Sequence, residues 1–174
     1  MKFLKTHTGA MVVLAVVIVL STLLGSHRSL VQAREKVESE RFASVAEDLQ
    51  DCLDITANLL TVAGRYLEGG DLRPLADARA ALAESGGISE AYSAYTGLTA
   101  EAEALLLALE EAPLEERDGE YVQGFRADLA AEADTISRDG YNAAAEDFNR
   151  RVLGAFPANI LSKLTFVSPA ELFQ

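Results

Sequence analysis

The chain has 174 residues and a net charge of −12, with 27 acidic against 15 basic side chains. A chain this acidic is repelled by phosphate backbones, and no Lys/Arg stripe interleaved with aromatics offsets the repulsion, which argues against nucleic-acid binding. The single cysteine, Cys52, excludes an internal disulfide framework and a thiolate metal cluster.

The charges are unevenly spread. Only Lys2 and Lys5 precede an uncharged run, TGAMVVLAVVIVLSTLLGS at residues 8–26, and the first acidic residue is Glu35. At about 1.5 Å per residue the run covers roughly 28 Å, close to the hydrocarbon thickness of a bilayer. Every face of such a helix is apolar, unlike an amphipathic helix of a soluble protein. A cleaved signal peptide and a fully buried core helix are the competing readings. The only fitting cleavage site, Val31-Gln32-Ala33, lies several polar residues beyond the apolar run, which is itself longer than a signal h-region. No cysteine follows closely enough for a lipoprotein anchor. The expectation is a short basic tail at 1–7 and an uncleaved transmembrane helix at 8–26, in contact with membrane lipid. Counting Lys and Arg alone leans toward a cytoplasmic C-terminal domain. The two-lysine tail matches anchors that export the domain C-terminal to them, so the expected location is the plasma membrane with the domain on the external side.

Helical spacing then takes over. Phe42, Val45, Leu49, Cys52, Leu53, Leu59, Leu60, Ala63, Tyr66 and Leu67 form one stripe on a helix predicted over 29–68. Gly69-Gly70 should end it, with Asp71 capping the next helix, 72–84, and Pro74 near its first turn. After Gly86-Gly87 the segment ISEAYSAYTG reads as a loop, and Thr99 as the cap of a helix through 111. Pro113 interrupts. A last long helix is predicted over 115–155, carrying Tyr121, Val122, Phe125, Leu129, Ile136, Tyr141, Phe148 and Val152. No period-two alternation of useful length occurs. The expected fold is all-α: the transmembrane helix, then an antiparallel up-and-down bundle of three to four helices over 29–156, then a turn and apolar tail at 157–174. Whether the middle helices stack end to end or pair is left open by the pattern.

The usual catalytic groups are scarce. His7 and His27 flank the apolar run, so the bundle region has no histidine, which removes Glu-x-x-His metal pairs, haem ligation and histidine-dependent triads. Cys52 sits on the apolar stripe and reads as a small buried hydrophobe. No glycine-rich phosphate loop occurs. The acidic groups Glu110-Glu111 and Glu115, Glu116, Asp118, Glu120 lack the alternation of a calcium loop and read as solvated faces. No catalytic residue, cofactor or metal ligand is expected, and the chain does not read as an enzyme.

The segment YNAAAEDFNRRVLGAFPANIL, 141–161, repeats an aromatic-Asn pair one heptad apart: Tyr141-Asn142 and Phe148-Asn149. Spacing of seven puts both asparagines on one stripe beside core aromatics, where a satisfied asparagine fixes register. Asn58 is the expected partner; a polar ligand groove and simple exposure are the alternatives. Pro157 forces a turn. The apolar residues beyond it either dock across the bundle end or form a hook for a partner or a membrane interface, with Leu161, Leu164, Phe166 and Phe173 as candidate contacts.

These residues carry a family resemblance. The tail resembles the C-terminal signature of the LemA family through Tyr141, Asn142, Phe148, Asn149, Phe156, Pro157, Asn159, Pro169, Glu171 and Phe173. The first bundle helix is similar through Asp54, Ile55, Asn58, Leu59, Val62 and Tyr66. The chain departs at Cys52-Leu53, where the family usually has arginines, and at Thr56-Ala57, which replaces an Ile-Pro step, so the helix should continue unkinked there. The resemblance implies a single-pass membrane protein with an antiparallel helical bundle, acting as a scaffold or interaction partner of other envelope proteins. A ligand-binding sensor module working through a membrane partner is the alternative, and a homo-oligomer is compatible with either.

Overall fold

A computed structural model describes residues 7–174, and its regular structure is helical, with no strand among the described residues. The basic tail with Lys2 and Lys5 lies outside the described residues. In chain order the helices are α1 (His7–Lys36), α2 (Ala43–Ala63), α3 (Gly69–Ala83), α4 (Ile88–Glu110), α5 (Glu116–Arg138), α6 (Tyr141–Asp147) and α7 (Ala158–Thr165), with π-helical stretches at Val37–Arg41 and Phe148–Leu153. Two compact units result. One holds the residues up to Glu40 with Ala143–Ala170, the other Arg41–Asn142 with Glu171–Gln174.

In the second unit α2 packs on α3 and α5, α3 on α4, and α4 on α5, a closed ring of neighbours. Leu59, Leu98 and Leu109 are fully buried, and Val45, Cys52, Leu75, Ala102 and Leu106 nearly so. These positions follow helical spacing, and each buried aliphatic stabilises by about 1.5–3 kcal/mol relative to exposure. Thr56, a polar residue among them, is fully buried. Its Oγ1 donates to Cys52 O and Leu53 O at 2.8 and 3.0 Å, and Arg79 Nε donates to it at 3.2 Å. The hydroxyl is therefore satisfied, and α2 runs unbroken through Thr56-Ala57.

Four expected boundaries need correction. Residues 29–36 continue α1 instead of opening the helix expected over 29–68. α2 stops at Ala63, and Gly69-Gly70 open α3 rather than ending the preceding helix. The segment 88–97 is helical, because Ala91, Leu98, Ala102 and Leu105 continue one buried face through it. The long C-terminal helix breaks at Asp139-Gly140, where the Tyr141 N–H donates to Asp139 Oδ1 at 2.7 Å and starts α6 anew.

In the first unit α1 packs against α7, and α7 against Phe148–Leu153. Leu30, Ala145, Phe148, Leu153, Val167 and Ala170 are buried apolar residues of this unit. Gly154 follows the π-helical stretch so closely that a Cβ there would collide with Arg150 O. The Phe156–Pro157 peptide bond, which precedes α7, is cis. The N-terminal helix is long and apolar enough to cross a membrane: its apolar window has mean hydropathy 2.4, and 6 % of it is buried. A core helix of the same composition would be mostly covered by protein.

Candidate functional site

The asparagine stripe meets the C-terminal tail. In the second unit Asn142 Nδ2 donates to Phe173 O and Asn142 Oδ1 accepts the Phe173 N–H, both at 2.8 Å. In the first unit Asn149 Nδ2 donates to Ala170 O at 3.0 Å and Asn149 Oδ1 accepts the Ala170 N–H at 2.8 Å. A carboxamide carries a donor and an acceptor side by side, so it pairs with both backbone groups of one residue. Each asparagine is a two-pronged clamp on the tail backbone.

Around the Asn142 clamp, Tyr141 is 2 % exposed and its hydroxyl donates to Glu171 O at 2.6 Å. The Phe173 ring, 7 % exposed, lies 5.6 Å from Phe42, 5.1 Å from Tyr92 and 6.1 Å from Tyr95, while Phe42 and Tyr141 meet edge to face at 5.1 Å. Burial pushes the Tyr95 hydroxyl up to about 12. Glu171 reaches the start of α4, where its Oε2 accepts the Ser89 N–H at 3.2 Å. α4 has no side-chain cap from its own flanking residue. The tail thus caps it in trans, placing a carboxylate at the positive end of a helix. A Cβ on Gly87 would come within 3.3 Å of that carboxylate, so the absence of a side chain there permits the approach.

A second polar knot closes the other end of α2. Asp118, 4 % exposed, accepts from the Tyr66 hydroxyl at 2.7 Å and from Arg65 Nη1 at 2.8 and 2.9 Å. The Tyr66 oxygen in turn accepts the Glu115 N–H at 3.2 Å. Tyr66 foremost, and then Arg65, hold the Asp118 carboxyl below its ordinary range.

Other expected site residues fall differently. Asn58 is exposed, and the partners of Asn142 and Asn149 are tail backbone groups instead of another asparagine. Phe148 is 5 % exposed. Phe173 is buried, so it is not available as a contact for a partner. Leu161 is half-buried, whereas Leu164 is 61 %, Phe156 81 % and Phe166 90 % exposed; Pro157, between Phe156 and Asn159, is exposed too. Asn159 turns its Oδ1 inward without a hydrogen-bond partner among the described residues. It lines an open cleft of about 680 Å³ with Asn149, Leu153, Ser162, Lys163 and Val167. The Glu171 cap and the Asp139 turn had no place in the sequence reading; Asp139-Gly140 is a turn signal in plain sight, but a cap 82 residues away in sequence leaves none.

No family model, no curated protein and no solved structure matches the chain significantly.

Proposed function

We propose that this protein is a single-pass, membrane-anchored, non-enzymatic helical-bundle protein of the LemA type, which serves as a scaffold or interaction partner for other proteins of the cell envelope. The observation that carries the reading is the combination, in one chain, of an exposed, membrane-length apolar helix and an acidic helical unit. Asn142, Asn149, Tyr141 and Glu171 hold the tail, and Tyr66, Arg65 and Asp118 tie α2 to α5. The ring of neighbouring helices with short connections supports an antiparallel up-and-down arrangement. The acidic surface favours a basic partner face.

The test is protease treatment of intact cells carrying a C-terminally tagged full-length chain, with fractionation of the membranes. The expected result is membrane-bound protein that loses its tag on whole cells, which puts the domain on the external side of the plasma membrane. Tag protection until lysis would reverse the orientation. Recovery in the soluble fraction would overturn the anchor.

A ligand-binding sensor is the second reading, favoured by one observation, the buried and unbonded Asn159 Oδ1 in its cleft. Asn159→Leu should leave a scaffold's crosslinking pattern intact and abolish a sensor's response.

A further inference from the structure

α7 is inside out for a helix in water. Ser162, facing the interior, is 7 % exposed, while Ile160 and Leu164 on the outer side are 51 % and 61 % exposed. A helix covered only by solvent would exchange them. Phe156, in the turn just before the helix, is 81 % exposed. At the other end Phe166 is 90 % exposed and holds φ 56, the left-handed region. That conformation costs a non-glycine residue about 1–2 kcal/mol, and glycine usually fills this place after a helix. A bulky aromatic kept there, outward, is retained against local stability.

The position of α7 says what covers this face. It packs on α1, and Pro157, Ala158 and Leu161 lie beside Gly25, Ser26, Ser29 and Leu30. Residues 25–30 lie about 12–20 Å along the helix from the middle of the uncharged run, and half a hydrocarbon layer is about 15 Å. If α1 crosses a bilayer, α7 therefore sits at the depth where acyl chains meet headgroups. Charge agrees: residues 1–40 and 143–170 carry 8 Lys/Arg against 5 Asp/Glu, while the rest of the chain carries 7 against 22. Lys163 flanks the apolar stripe, where its stem can lie along lipid with the ammonium among headgroups. A second copy of the chain fits less well. An eight-residue helix is about 12 Å long and offers a fraction of the roughly 800 Å² per partner that a stable dimer buries.

We propose that α7, with Phe156 and Phe166 at its ends, lies in the headgroup–acyl boundary of the membrane that α1 crosses and makes a second, in-plane contact with that bilayer. The inference rests on the reading of α1 as a membrane anchor, and the experiment separates the two. The chain has no tryptophan, so a single Phe166→Trp substitution reports alone. The full-length variant is placed in phosphatidylcholine–phosphatidylglycerol vesicles. Its emission should be blue-shifted, quenched by lipid brominated near the top of the acyl chain, and shielded from aqueous iodide. Ile160→Trp gives the same reading from the helix itself. Val17→Trp, in the middle of α1, should be quenched best by bromine deep in the bilayer. Deep quenching of Val17→Trp with iodide-accessible, unquenched tryptophans at 160 and 166 would overturn the α7 contact and leave the anchor standing. No bromolipid quenching at any of the three sites would overturn both. A blue shift at 166 that grows with protein-to-lipid ratio, without bromolipid quenching, would assign the face to a second copy.

Discussion

The two units of this chain solve opposite solvent problems. The unit around α2 to α5 buries most of its leucines and places 22 acidic residues against 7 basic ones, mostly on its surface. The unit around α1 and α7 leaves Val17, Ile18, Leu24, Ile160, Leu164 and Phe166 outside and carries a basic excess. Averaged over the chain, these features cancel into a mean hydropathy of +0.11 and a charge of −12, which describe neither. Where apolar surface goes is decided unit by unit, by the phase each one faces.

The sharpest way to break that comparison is to make the same deletion in both units. Leu109→Ala, at a fully buried site, should lower unfolding free energy by about 2–5 kcal/mol. Leu164→Ala, at a site 61 % exposed, should change it by no more than about 0.5 kcal/mol. Urea titration of the full-length chain in micelles reads both. Equal losses would mean that α7 is packed as a protein core helix, contrary to its exposure.

The clamps come next. Asn142→Ala strands the Phe173 N–H and C=O, and Asn149→Ala strands those of Ala170, at about 1–3 kcal/mol each. The amide of the released residue should lose hydrogen-exchange protection while the α2 amides keep theirs. Unchanged stability and protection in Asn149→Ala would remove the clamp assignment for that unit.

The asparagines also show where sequence reading stops. Their heptad spacing reveals that they share a face, and the tail answers with a spacing of three, from Ala170 to Phe173. Nothing local, however, names the tail backbone as the partner, so Asn58 was a reasonable but wrong candidate. The same limit hid the first turns of α4. Ser, Tyr, Thr and Gly there are weak helix formers, and the Glu171 carboxylate that helps to start the helix arrives from the far end of the chain. By contrast, the apolar run and the α2 stripe were legible, because composition and periodicity are local properties. Asp139-Gly140 is a local turn signal as well, although the apolar period continues on either side of it.

A smaller effect separates the acidic unit's own carboxylates. Asp118 is held below its ordinary 3.8, first by the Tyr66 hydroxyl and then by Arg65. A group whose folded value is depressed stabilises above the unfolded value, and that contribution is lost as pH falls through the folded one. Asp48 and Glu132 are raised, first by desolvation and then by neighbouring carboxylates. Their charges destabilise at neutral pH, and that penalty is relieved as they protonate. Acidification should therefore first spare the fold and then undo it below the ordinary carboxylate range. Asp118→Asn should erase the second step, and an unmoved acid midpoint in that variant would show that the Tyr66–Asp118–Arg65 knot does not set it.

The smallest effect distinguishes burial in protein from burial in lipid. Cys52 is 1 % exposed, and its thiol is pushed up to about 12, first by burial and then by Glu132, Asp48 and Asp51. The native chain at pH 8 then holds a thiolate fraction on the order of 10⁻⁴, and alkylation waits on the opening of α2. Charged and apolar thiol reagents should both label it slowly, and both quickly in denaturant. Leu164→Cys in a Cys52→Ala background should behave otherwise in vesicles. A charged reagent should be excluded there, while an apolar maleimide that partitions into lipid should react at once. If both reagents label Leu164→Cys freely, water covers that face of α7. If both are excluded, protein covers it. Only discrimination between the two reagents fits a helix lying in the membrane interface, and Cys52 supplies the control for what a protein interior does.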